Sequence, residues 1–132
     1  MSPKVGIIIL HYGSLTTTIE CLQSVFALDY PVFETIVVNN SLLPTDGKTL
    51  REYFPKITLL STPENLGYAE GNNQGVAYAI KHDCAYVLLL NNDTVIAKDL
   101  LLSFVQTAQS NPKAGCLGAK IFYYDEPPTI WQ

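Results

Sequence analysis

Val5–Leu10 reads VGIIIL, an unbroken apolar run rich in β-branched residues. Successive side chains of a strand point to opposite faces, so a run without polar positions must be covered on both sides. A half-solvated antiparallel sheet would alternate instead. The run therefore asks for a sheet sandwiched between helices, and the rest of the chain supplies the parts. Thr16–Leu28 carries Ile19, Leu22 and Phe26 at helical spacing after Leu15, with Thr16 to Thr18 as caps, and DYP at 29–31 stops it. ETIVV at 34–38 reads as a second strand, Lys48–Phe54 as a short helix closed by Pro55, and KITLLS at 56–61 as a third strand. A long loop, TPENLGYAEGNNQG, runs into a helix over about 71–82. Ala85–Leu90 reads as a fourth strand, Lys98–Ser110 as a helix with Leu101, Phe104, Val105 and Ala108 on one face, and Cys116–Tyr124 as a fifth strand. Strands that alternate with helices imply right-handed crossovers, and hence an α/β fold with a mostly parallel sheet and helices on both faces.

A chain of 132 residues is expected to form a single domain and buries enough surface to need no disulfides. Its three cysteines, Cys21, Cys84 and Cys116, are odd in number and lack CxxC spacing, the usage of reduced thiols that act as small buried hydrophobes. The net charge is −4 with Lys and Arg scattered singly, which argues against a nucleic-acid surface or a polybasic membrane patch. No stretch approaches the roughly 20 apolar residues of a membrane span. The expected location is cytoplasmic, at most peripheral to the inner face of the membrane.

In parallel α/β sheets, ligands bind beyond the carboxyl ends of the strands. Polar clusters sit at those ends here: HYG after the first strand, NNS after the second, PENLG after the third and NNDT after the fourth. Several familiar motifs fail. DGKT at 46–49 lacks the glycine of a phosphate-binding loop, since Leu42 stands in its place. Gly67, Gly71 and Gly75 are spaced by four, unlike a dinucleotide fingerprint. His11 and His82 are the only histidines, and no Ser-His-Asp or zinc pattern is visible. What remains is Asn91-Asn92-Asp93. Residues two apart in an extended segment share a side, so Asn91 and Asp93 would face one ligand. A carboxylate at a strand end suits Mg²⁺ or Mn²⁺, with much of the coordination coming from a diphosphate. Once helical, Gly71 and Gly75 share a face that permits close approach of a sheet or a ligand, and N–H groups near Gly71 and Asn72 could donate to phosphate or ribose oxygens.

The set VGIIILHYG, FETIVVNNS, PENLGYAEGNNQG, YVLLLNNDTVI and GAKIFYYD resembles family 2 glycosyltransferases of the GT-A fold, especially the rhamnosyltransferase-like branch, in order over nearly the whole chain. The resemblance implies a Rossmann-like nucleotide-diphospho-sugar transferase fold, a nucleotide-sugar donor (UDP- or dTDP-linked in preference to GDP-linked), a divalent metal, and inverting transfer to a saccharide or lipid-linked acceptor in polysaccharide biosynthesis. It implies that Tyr12 stacks on the base with His11 and Gly13 beside it. Asn39 stands where the family usually has the Asp that accepts the base N–H. Asn65, Gly71 and Asn72 would line the nucleotide, together with Asn91 and Asn92, and Asp93 would be the metal ligand.

The family's catalytic base is a carboxylate in an acceptor half downstream. It is expected beyond Gln132, with Asp125 and Glu126 read as solvated loop residues. The expectation is a donor-binding half, incomplete alone and able to self-associate. Three competing readings stand beside it: a non-catalytic nucleotide-sugar-binding module, a nucleotidyltransferase, and an α/β interaction domain. The nucleotidyltransferase reading wants a basic loop that HYGSLTTT does not provide.

Overall fold

The computed structural model describes residues 1–41, 43–125 and 129–131. The elements run β1 (Val5–His11), α1 (Leu15–Phe26), β2 (Phe33–Asn39), α2 (Pro44–Tyr53), β3 (Thr58–Ser61), α3 (Gly67–Lys81), β4 (Tyr86–Asn91) and α4 (Leu100–Ser110). The four strands form one sheet in the order β3-β2-β1-β4, and every pairing is parallel. This is the Rossmann-like α/β arrangement that the alternation of elements implies.

β1 lies in the middle of the sheet, and all seven of its residues are buried. Its pleat divides the core. Ile8 and Leu10 join Ile36, Val38 and Ala79 in one apolar cluster under α3. The alternate positions face α1 and α2, as His11 shows by bonding to Thr18 of α1 and Asp46 of α2. Cys21, Leu22 and Val25 of α1 and Leu50 of α2 are fully buried. α3 can lie close to the sheet because it presents glycine: a Cβ on Gly71 or Gly75 would stand 2.5 Å from Leu10 or Ile8 respectively.

Among the described residues, one buried side-chain polar atom is left over. Thr35 on β2 is 3% exposed, and its hydroxyl has no hydrogen-bond partner. An unpaired buried hydroxyl costs about 1 kcal/mol or more. Thr35→Val keeps the shape and the β-branching, so it is expected to stabilise the protein by about 1 kcal/mol. Urea unfolding of the two proteins checks this, and a lower midpoint for the variant would contradict it.

Several boundaries differ from the sequence expectation. α2 starts at Pro44 rather than Lys48, since proline fits the first helical turn and Asp46 complements the helix dipole there. α3 starts at Gly67, four residues before the expected 71. The expected fifth strand over 116–124 does not form. That segment makes a single antiparallel bridge, Phe122 with Ile130, and strands need a continuous partner for their N–H and C=O groups. Gly115, Gly118 and Lys120 also disfavour extended pairing.

The described residues group into two compact units, Met1–Leu101 and Leu102–Gln132. The first holds the sheet. The second holds most of α4 and the bridge, where Tyr123 N–H donates to Thr129 O and Trp131 N–H to Ile121 O. Asp125 in the second unit is exposed; Glu126, Leu42 and Gln132 lie outside the described residues. Among the described residues, no helix is long and apolar enough to cross a membrane.

Candidate functional site

Because all four strands are parallel, they end along one edge. A cleft of about 380 Å³ opens there within the first unit. Leu10 and Tyr12 bound it from β1, Asn40 from the end of β2, Asn65, Gly67 and Tyr68 from the start of α3, and Asn91, Asn92 and Asp93 from the end of β4.

Amides hold this edge together. Asn40 is 2% exposed. Its carbonyl accepts the Leu66 N–H and the Thr62 hydroxyl, and its N–H₂ donates to Asn65 Oδ1 and the Gly67 carbonyl. Asn65 Oδ1 also accepts the Gly67 N–H at 2.9 Å, which meets the first free donor of α3. These bonds tie β2 to the loop that starts α3. On the opposite wall, Thr94 closes a turn after β4 by donating its hydroxyl to the Asn91 carbonyl at 2.6 Å. Tyr68 reaches across from α3 and donates its hydroxyl to Asn91 Oδ1 at 3.1 Å.

Tyr12 and Tyr68 are 60% and 59% exposed, a large apolar outlay for solvent unless a ligand covers the rings. Asp93, at the tip of the β4 turn, is exposed and, among the described residues, is the single charged one lining the cleft. Cys21 lies behind the turn, its thiol 3.6 Å from the Asn91 carbonyl. Burial pushes its pKa up to about 12, so it stays a neutral thiol and is no nucleophile.

The structure brings together five of the ten site residues expected from sequence: Tyr12, Asn65, Asn91, Asn92 and Asp93. The other five lie elsewhere, each for a physical reason. His11 is fully buried on the α1/α2 side of β1. Asn39 shares that side, in register with His11. It is 3% exposed, accepts the Ser41 N–H, and lies against Gly47 of α2. Gly13 is exposed at φ +82°, where it shapes the turn after Tyr12 and does not line the cleft. Gly71 packs on Leu10, and Asn72 turns back to donate to the Tyr68 carbonyl at 2.9 Å. Asn40 and Tyr68 were not expected. The pleat could have found Asn40, because Asn39 and Asn40 must face opposite sides. Tyr68 becomes visible only once α3 is known to start at Gly67.

For a cation, the donor set is oxygen-only: one carboxylate and several amide carbonyls. Among the described residues, no three His, Cys, Asp or Glu side chains come together as a metal cluster. Such a set fits a hard divalent ion that shares its shell with ligand phosphates, and does not fit a closed protein cage.

Known proteins share this architecture. The chain is similar to the mannosyltransferase PcManGT from Pyrobaculum calidifontis, solved with GDP-Man and Mn²⁺, at TM-score 0.72 and 24% identity over 90% of this chain and 36% of that one. It is similar to S. aureus TarS 1-349 at TM-score 0.72 and 19% identity, over 90% of this chain and 39% of that one. In sequence it is 26% identical over 115 residues to the poly-beta-1,6-N-acetyl-D-glucosamine synthase of Staphylococcus epidermidis, and spans 86% of this chain and 27% of that protein. It is 36% identical over 135 residues to the uncharacterized protein y4gI of Sinorhizobium fredii, over 94% of this chain and 14% of that protein. The chain thus spans well under half the length of these curated relatives. Residues 6–132 match the model of glycosyl transferase family 2, and the chain belongs to that family.

Proposed function

We propose that this chain forms the donor-binding part of a glycosyltransferase, and that its cleft holds a nucleotide-diphospho-sugar with the diphosphate over Asp93. The observation that carries this is the charge of the cleft. Among the described residues, one exposed carboxylate faces it, and no Lys, Arg or His lines it. A diphosphate placed beside Asp93 alone would be repelled, so the two fit together only through a cation between them. Asp93 would hold Mg²⁺ or Mn²⁺, with the Asn91 region supplying neutral oxygens. The bound ion would supply Lewis-acid stabilisation of the charge that develops on the leaving diphosphate.

This chain's own residues bind and orient. Tyr12 offers a ring face for the base, UDP or dTDP in preference to GDP. Asn92 and Asn65 hold the loops that carry Tyr12 and Tyr68. Transfer would invert a hexosyl or rhamnosyl centre and requires a general base on the far side of the sugar. Among the described residues no second carboxylate lines the cleft, so we place the base outside it. The same observation favours a second reading, a module that binds the donor without transferring it. The solved relatives were captured with UDP, UDP-GlcNAc and GDP-Man, which supports a nucleotide-sugar ligand of this class.

Calorimetric titration with UDP, dTDP and GDP, each with Mn²⁺ and with EDTA, tests the proposal. The expected result is Mn²⁺-dependent binding of one pyrimidine nucleotide. Absence of heat with all three, from folded protein, would refute it. Transfer to a saccharide acceptor would then separate the enzyme from the binding module.

A further inference from the structure

Beneath the cleft, the Asn92 side chain continues into a buried polar chain. Thr18, in the first turn of α1, is fully buried. Its Oγ1 is 2.8 Å from His11 Nδ1 and accepts an N–H from the Asn92 side chain at 2.8 Å. The other Asn92 N–H donates to the Tyr12 carbonyl at 3.0 Å. On its far side, His11 Nε2 stands 3.1 Å from Asp46 Oδ2, and the same oxygen accepts the Ser41 hydroxyl at 3.0 Å. With a ring hydrogen on Nε2 alone, facing Asp46 Oδ2, Nδ1 can accept the Thr18 hydroxyl. That hydroxyl also has the Ser14 carbonyl within reach, but at 3.3 Å.

We propose that Thr18 is a positioning residue for the donor cleft: its hydroxyl holds the Asn92 amide, and the amide holds the Tyr12 loop against the Asp93 turn. The proposal rests on the donor-cleft reading above. The geometry is specific. Thr18 touches both the buried His11 ring and the Asn92 side chain of the cleft wall, so it joins the ends of β1 and β4 to α1. Without its hydroxyl, Asn92 keeps one acceptor of two, and the spacing between Tyr12 and Asp93 is no longer fixed. A hydrogen-bonded network anchored on buried groups rigidifies what it touches.

Two variants separate positioning from packing. Thr18→Val keeps the volume and removes the hydroxyl; Thr18→Ser keeps the hydroxyl and removes a methyl group. Two readouts are taken on the full chain: solvent exchange of the Asn92 side-chain N–H₂ by NMR without ligand, and UDP affinity with Mn²⁺. Thr18→Val is expected to speed Asn92 exchange and weaken UDP binding, each by about tenfold, the equivalent of one hydrogen bond. Thr18→Ser is expected to leave both close to native. Native-like exchange in Thr18→Val, or equal damage from Thr18→Ser, overturns the proposal. If Thr18→Val does not fold, the native protein still decides: Asn92 N–H₂ exchange as fast as that of the exposed Gln23 overturns it. If native protein binds no UDP, the donor-cleft reading fails, while the exchange comparison still judges the positioning role.

Discussion

Gly75→Val is expected to destabilise the protein by about 3 kcal/mol. In an exposed helix, replacing glycine removes a propensity penalty of up to about 1 kcal/mol. Here the new Cβ would stand 2.5 Å from Ile8 Cγ2 and 3.1 Å from Cγ1. Ile8 is fully buried on the central strand, and its branch is fixed at Cβ, so the methyl cannot swing aside. Helix and sheet must part instead, at a cost of about 1–3 kcal/mol for a first methyl group and more for a branched side chain. Gly71→Ala makes the contrast. Its Cβ would also meet a neighbour at 2.5 Å, but that neighbour is Leu10 Cδ1, the far end of a flexible side chain. Gly71→Ala is therefore expected to lie within about 1 kcal/mol of native. Denaturant unfolding of both variants decides, and equal losses would show that helix–sheet distance does not set the cost.

That contact also shows which parts of the fold the sequence makes legible. The sheet is readable because β1 is apolar from Val5 to Leu10 and β2 from Ile36 to Val38, and only a doubly covered parallel sheet accepts such runs. The spacing of Gly71 and Gly75 gives the close approach of α3. The helix starts are less readable, because Pro44 and Gly67 look like loop residues until their roles in a first turn are known. The β4 end of the site is legible for the same reason as the sheet: NND follows an apolar run directly. At the β2 end, the family resemblance points to Asn39, whereas the pleat turns Asn40 to the cleft and Asn39 to α2. The resemblance also sets His11 beside the base, and one residue of pleat places it under the cleft, where it meets Thr18 and Asp46. The sequence carries no mark of those partners, because they lie 7 and 35 residues away. Over 116–124, apolar content suggests a strand, yet pairing and not propensity decides whether one forms.

Asp93→Asn is expected to reverse the metal dependence of nucleotide binding while leaving the fold intact. Asp93 is exposed, and no hydrogen bond to its side chain is found among the described residues, so an isosteric amide should change stability by less than about 0.5 kcal/mol. Its charge is another matter. With Mn²⁺ present, loss of the Asp93 carboxylate removes a charge-assisted contact of about 3 kcal/mol, which weakens UDP roughly 100-fold. With EDTA the sign changes. The native carboxylate then repels the diphosphate, and the amide does not, so the variant should bind UDP as well as native protein or better. A merely structural defect would weaken binding in both conditions. Titration of native and variant protein with UDP in Mn²⁺ and in EDTA gives four affinities, and the proposed role of Asp93 stands only if the variant loses in the first condition and does not lose in the second.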